Sequence, residues 1–135
     1  MRIFLDTNVL VSAFATRGLC SDLFELILLE HDLVTGRHVL DELSRSLRRK
    51  LKLPASNARE IVEFVSGEAS RLSAESRPSD AIADAADARV LGEALATEAE
   101  LFVTGDAALL KLRALEGMKI VSPRGLWEML RTHRN

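Results

Sequence analysis

Acidic residues stand at the ends of two apolar segments of this chain. Residues 3–5 predict a buried strand that stops at Asp6, and residues 101–103 predict another that stops just before Thr104 and Asp106. The carboxyl ends of parallel strands open onto one crevice, where ligands bind. Carboxylates at close range repel one another unless a cation neutralises them, and hard divalent cations prefer oxygen ligands. The pattern therefore predicts a Mg²⁺ or Mn²⁺ site and, from it, phosphate chemistry.

Acids on two predicted helices extend this set. Glu42 lies away from the apolar stripe of its helix, and Asp41 beside it is the competing candidate. Asp84 and Asp87 are one helical turn apart, so both could face the site. The apolar pattern after Asp87 makes it the better ligand, and it makes Asp84 an outer residue of the site or a plain loop acid.

Each of these residues also has a purely structural interpretation. Asp6 and Asp106 stand where helices begin, and aspartate is favoured as a helix N-cap. Asn8 either orients Asp6 or binds a metal-bound water, or it is only a turn residue. Thr104 either bonds a ligand carboxylate or a phosphate oxygen, or only closes a turn. Glu42 could simply pair with a nearby arginine on its own helix.

Basic residues cluster near the end of the helix that carries Glu42. Such a run is usually a solvated helix face. Beside a carboxylate site it could instead bind the backbone phosphates of a nucleic acid, with Arg45 and Arg49 as the candidates because they share a face with Glu42.

The elements that must position these residues alternate along the chain. Strands are predicted at 2–5, 32–35, 101–103 and 119–121, and helices at about 21–30, 37–51, 56–72, 107–115 and 123–131. A short helix begins near residue 9, another helix carries Asp87, and 75–84 is a loop. This order predicts an α/β fold, a parallel sheet flanked by helices on both faces. Residues 37–73 are expected to be purely helical, with Phe64 facing inward.

Size and composition further limit the number of domains and the class of protein. A chain of 135 residues with 47% hydrophobic content predicts one domain over residues 1–135. A net charge of −2 gives no global basic signature of the kind many nucleic-acid binders show. The single cysteine excludes an internal disulfide, and no apolar run is long enough to span a bilayer. We therefore expect a cytoplasmic protein.

The ordered set of motifs resembles the PIN-domain family. Residues 5–12, 40–43, 84–94, 103–106 and 120–123 match its pattern from end to end, and the match is closest to toxin components of toxin–antitoxin systems. The resemblance implies a PIN-like (Rossmann-like) fold and a metal-dependent ribonuclease that hydrolyses RNA phosphodiester bonds. It also implies a homodimer and, where one is encoded, a cognate antitoxin protein.

The resemblance also implies roles for individual residues. It assigns the catalytic and metal-binding cluster to Asp6, Glu42, Asp87 and Asp106, with Asn8 and Thr104 in support. One departure concerns the third acid. Alanines surround Asp87 where this subgroup is often richer in acids, which leaves fewer spare ligands for a second metal.

Two other functions compete with the ribonuclease. A phosphatase of the haloacid dehalogenase type also places an aspartate after its first strand, but it usually has a second aspartate two residues later, where this chain has Asn8. Alternatively, the chain is a catalytically weak PIN-like module that binds RNA or a protein. A pure binding surface has no need for converging carboxylates, so the acidic set favours the enzyme.

Overall fold

The computed structural model describes residues 1–74 and 76–133. Within them the strands are β1 (Arg2–Leu5), β2 (Asp32–Gly36), β3 (Arg71–Ser73), β4 (Leu101–Val103), β5 (Ala114–Leu115) and β6 (Met118–Val121). The helices are α1 (Thr7–Ala15), α2 (Leu19–Glu30), α3 (Arg37–Arg49), α4 (Ala55–Glu68), α5 (Ala85–Ala96), α6 (Ala107–Leu110) and α7 (Pro123–His133).

All six strands form one sheet in the order β3-β2-β1-β4-β6-β5. Every pairing is parallel except that of β5 with β6. The chain builds outward from β1 to β2 and β3, then crosses to the other side of β1 to form β4. The strand order therefore reverses between β1 and β4, and open α/β sheets bind ligands beside such a switch point.

The core follows from the apolar strands and one leucine stripe. Phe4 and Phe102 stack across β1 and β4 with ring centroids 5.6 Å apart. Leu40, Leu43 and Leu47 of α3 are buried, as their helical spacing predicts. The prediction of a parallel sheet flanked by helices is confirmed. None of the described helices is long and apolar enough to cross a membrane.

The segment 37–73 differs from its prediction, because it is not purely helical. The predicted helix over 56–72 ends at Glu68, and Arg71–Ser73 forms the parallel strand β3 against β2. A three-residue strand with an exposed arginine has no apolar alternation to reveal it. Helix α3 ends at Arg49 rather than at residue 51. Phe64 is 45% exposed rather than inward, and it meets Phe14 edge-on.

The segment after Asp106 also differs, because its predicted helix over 107–115 ends at Leu110. The chain then turns back as a short hairpin, in which Leu115 of β5 pairs with Met118 of β6. Both intervening residues have positive φ, 49° at Glu116 and 88° at Gly117. Two positive φ values are what a type I′ hairpin turn requires.

Candidate active site

A pocket of about 200 Å³ opens at the carboxyl ends of β1 and β4. The acids predicted from the sequence, Asp6, Glu42, Asp87 and Asp106, all line it, as does Asn8. They come from the end of β1, from α3, from the first turn of α5 and from the turn after β4. Asp41 lies outside this pocket and lines another. Glu42 is therefore the acid that α3 contributes to the pocket.

Asp6 is the most tightly held of these acids. Its side chain is buried, with one carboxylate oxygen accepting a 2.8 Å hydrogen bond from the Thr7 N–H and the other a 2.7 Å bond from the Thr104 hydroxyl. The first bond makes Asp6 the N-cap of α1, so the capping interpretation holds and does not remove the residue from the pocket. Burial raises the pKa of Asp6, and the charges of Glu42 and Asp106 act in the same direction.

Thr104 links the two strand ends. Its hydroxyl is fully buried, donates to Asp6 and accepts from the Asp106 N–H at 3.0 Å. Asp106 in turn caps α6, because one of its oxygens accepts from the N–H groups of Ala108 and Leu109 at 2.8 and 3.2 Å. Its second oxygen has no hydrogen bond within residues 1–74 and 76–133, and so it remains available to a ligand.

Thr7 ties Glu42 to the same network, a role that sequence reasoning missed. Its hydroxyl donates to a Glu42 oxygen at 2.9 Å while its N–H holds Asp6. The other Glu42 oxygen lies 3.7 Å from Nε2 of His38. The only sequence signal for Thr7 was a hydroxyl directly after a strand-end aspartate.

Asp87 differs from the other acids because its carboxylate makes no hydrogen bond within the described chain. Partial burial raises the pKa of Asp87 to about 6, and the charges of Asp84, Asp106, Asp6 and Glu42 contribute to the rise. Asp84 does not line the pocket and instead caps α5 by accepting a 2.9 Å bond from the Asp87 N–H. Its carboxylate therefore acts on the pocket through its charge and through the start of α5.

The donor set suits a hard divalent cation in its chemistry. Four carboxylates face one small pocket. Burial and, to a smaller extent, mutual repulsion raise the pKa of Asp6 and Asp87, and a cation would relieve the repulsion. However, no group of three or more His, Cys, Asp or Glu side chains in the described ranges is placed to hold a metal ion as it stands. Residues of this kind fit a metal only if side chains such as Asp87 move toward it.

The basic residues divide between two places. Arg45 and Arg49 line a separate pocket of about 500 Å³ where α3 meets α4, together with Arg48. Lys50, the next residue along, lines the acidic pocket. None of these four side chains forms an ion pair within the part of the chain that the structure describes. Their positive charges are therefore available to bind an anionic ligand.

Comparisons with known proteins agree with this architecture. The model of the PIN-domain family matches residues 2–108, which is most of the chain. Among solved structures, a chain in the crystal structure of VapBC2 from Rickettsia felis, bound to a DNA fragment from their promoter, superposes with a TM-score of 0.64. That match is 15% identical in sequence, covers 90% of this chain and 98% of that chain, and shows a shared fold. No curated protein is significantly similar in sequence. On the family match, this chain belongs to the PIN-domain family.

Proposed function

We propose that this protein is a metal-dependent endoribonuclease that hydrolyses RNA phosphodiester bonds and acts as the toxin of a toxin–antitoxin pair. PIN domains are generally nucleases and generally use divalent metal ions. The observation that carries the proposal is the acidic pocket, in which carboxylates from four separate elements meet beside the switch point of the sheet.

The pocket residues would have different roles in metal binding and catalysis. Asp6 and Asp106 would be the principal ligands of a Mg²⁺ or Mn²⁺ ion, with Glu42 and Asp87 completing the set. When bound there, such an ion would lower the pKa of a water and would polarise the scissile phosphate. Asp87 is suited to accept the proton of the attacking water, because its carboxylate accepts no hydrogen bond within the described residues and faces the pocket. Thr7 and Thr104 would hold Glu42 and Asp6 in place.

The phosphatase alternative has less support from the residues of the pocket. A haloacid dehalogenase-type enzyme would need Asp6 to attack a phosphorus atom, and such enzymes usually carry an acid two residues later. This chain has Asn8 at that position, and asparagine cannot exchange a proton as that acid does.

A nucleic acid is the substrate class that the basic surface beside the acidic pocket supports, and the family resemblance favours RNA within that class. Arg45 and Arg49 lie on the same helix as Glu42 and carry no ion pair among the described residues. Arginines bind nucleic-acid phosphates without reading sequence. We propose that they hold the strand on one side of the cleaved bond.

The proposed partner is an antitoxin protein. The VapBC2 structure is a complex, and this describes that structure and not the present chain. Its shared fold supports, for this chain, a cognate antitoxin. A homodimer and a cytoplasmic location complete the proposal.

The test is cleavage of a single-stranded RNA by the purified protein. Cleavage should require Mn²⁺ or Mg²⁺ and stop on addition of a chelator. Asp6→Asn should abolish it while the circular dichroism spectrum stays parental, since an asparagine oxygen can still accept from the Thr7 N–H. An Asp6→Asn protein that cleaves at the parental rate would refute the proposal. A folded wild-type protein that binds RNA without cutting it would favour the binding-module alternative.

A further inference from the structure

Glu93 is a buried acid that does not line the acidic pocket. It lies in α5 and is only 3% exposed. A carboxylate in the interior is costly unless its charge is hydrogen-bonded or paired. Within residues 1–74 and 76–133, Glu93 forms no ion pair. Its hydrogen bonds must therefore explain why an acid occupies this position.

The partners of Glu93 are backbone groups of another helix. One carboxylate oxygen accepts from the His38 N–H at 2.7 Å, and the other accepts from the Val39 N–H at 3.2 Å. These groups belong to the first turn of α3, where N–H groups have no partner within the helix. The N-cap residue of α3 is Gly36, which has no side chain to offer. Glu93 thus caps α3 from α5. Burial raises the pKa of its carboxyl group, and the two N–H bonds and the positive end of the α3 dipole oppose that rise.

Gly36 makes room for this contact. A Cβ atom at this position would overlap the carboxylate of Glu93. The φ of Gly36 is −151°, an extended value that any residue can adopt. Glycine is therefore needed here for space rather than for backbone freedom, and a single methyl group should displace Glu93 without changing its charge.

The contact joins the two helices that supply acids to the pocket. Val39 lies three residues before Glu42 on α3, and Glu93 lies six residues after Asp87 on α5. At 1.5 Å per residue these are axial separations of about 5 and 9 Å. In the described chain, the two bonds of Glu93 are the only hydrogen bonds that link α3 to α5.

We propose that Glu93 is a positioning residue that fixes Glu42 relative to Asp87 and so determines how well the acidic pocket holds a divalent cation. The inference rests on the proposed function, because it assumes that the pocket binds a metal. It assigns to Glu93 no contact with substrate or with the metal.

Two variants disturb this contact from opposite sides. Glu93→Gln removes the charge and places an amide NH₂ against one of the two N–H groups, whereas Gly36→Ala keeps the charge and displaces the carboxylate. The matched control is Ser122→Ala, which removes the cap of α7, a 3.0 Å bond from the Gly125 N–H, and leaves α3 and α5 untouched. All three variants should unfold at lower temperature than the parent.

The deciding readout is Mn²⁺ affinity, measured by titration with electron paramagnetic resonance. We expect Glu93→Gln and Gly36→Ala each to bind Mn²⁺ about tenfold more weakly, as losses of outer partners of a metal site do, and Ser122→Ala to bind like the parent. Their kcat should fall while KM for RNA stays within about threefold, and excess Mn²⁺ should restore part of the rate. Parental Mn²⁺ affinity in a folded Glu93→Gln or Gly36→Ala protein would overturn the proposal.

Amide hydrogen exchange gives a readout that needs no metal. Loss of the contact should speed exchange at His38 and Val39 and also through residues 40–43 around Glu42. Exchange there that stays parental in both variants would overturn the positioning role. A wild-type protein that neither binds Mn²⁺ nor cleaves RNA would instead refute the proposed function, and the exchange data would still decide whether Glu93 holds α3 against α5.

Discussion

The acidic pocket has two sides that are built differently. On the strand side, Asp6 and Asp106 follow β1 and β4 and are joined through the Thr104 hydroxyl. Both also cap helices through backbone N–H groups. On the helix side, the carboxylate of Asp87 makes no hydrogen bond within the described residues. Glu42 accepts a hydrogen bond from the Thr7 hydroxyl, and its other oxygen lies 3.7 Å from Nε2 of His38.

The difference means that the strand side of the pocket is held more firmly than the helix side. The strand side is fixed by the register of β1 against β4, where Leu5 pairs with Val103. The helix side depends on how α3 packs against α5, and the carboxylate of Asp87 accepts no hydrogen bond within the described residues. We therefore expect the strand side to supply the principal ligands of the cation, and the helix side to complete them and to accept a proton.

The largest effect is expected on the strand side, from Asp106→Asn. Asparagine still caps α6, since it is as good an N-cap as aspartate, so the fold should be kept. The loss of a charged ligand should weaken Mn²⁺ binding by about 100-fold or more, because even outer partners of metal ligands cost 10–100-fold. Titration of the metal-free protein, followed by electron paramagnetic resonance, measures this. Parental affinity in Asp106→Asn would mean that the strand side is not the metal-binding side.

A smaller and different effect is expected on the helix side, from Asp87→Asn. Loss of a proton acceptor should lower kcat by about 100-fold, the lower end of the range for general bases. Mn²⁺ affinity should fall by about tenfold, which is less than in Asp106→Asn, because Asp87 only completes the ligand set. Single-turnover cleavage at saturating Mn²⁺ separates the two quantities. If Asp87→Asn instead keeps kcat once metal is restored, the two sides have the same role.

A weaker effect is expected beyond the pocket, at Arg45 and Arg49. Replacing both with alanine should raise KM for RNA and leave kcat unchanged. The slope of log affinity against log salt should become shallower by about 0.7 for each lost phosphate contact with a single strand. Arg131→Ala, in the last turn of α7 and outside both pockets, is the matched control. A salt slope that Arg131→Ala changes equally would remove the specific role of the α3 arginines.

The smallest effect concerns the stability of the metal-free protein. The pKa of Asp87 is raised from 3.8 to about 6 in the folded protein, so folding favours its protonated form. The resulting contribution is fully present below pH 4 and is lost as pH rises through about 6. Asp87→Asn should remove this dependence, so its free energy of unfolding relative to the parent should increase between pH 4 and 7. Urea unfolding at several pH values tests the sign, which a constant difference across that range would contradict.

The same comparison explains what the sequence could and could not predict. Asp6 and Asp106 were predictable from the residues alone, because apolar runs mark strands and strand ends share an edge. Glu42 and Asp87 were weaker candidates from the residues alone, since an acid on a helix is usually just exposed, and the family resemblance assigned them to the cluster. The roles of Thr7 and Glu93 were missed. Their partners lie 35 and about 55 residues away, and no local pattern records such contacts.

The elements of the fold also divide into those that the sequence predicted and those that it did not. The four apolar strands and the helices between them were predicted, apart from their ends. Strand β3 was missed because it has only three residues and an exposed arginine at its edge. The hairpin of β5 and β6 was missed because its turn depends on Glu116 adopting a positive φ, which its residue type does not suggest.

The most direct test of the account is a crystal of the protein soaked in Mn²⁺ and measured at an anomalous wavelength. We predict a Mn²⁺ peak in the acidic pocket with oxygens of both Asp6 and Asp106 as ligands, and with Asp87 moved toward it. A fully soaked crystal in which Mn²⁺ binds elsewhere, or in which Asp6 and Asp106 share no ion, would contradict the central claim that the two strand ends build one metal site.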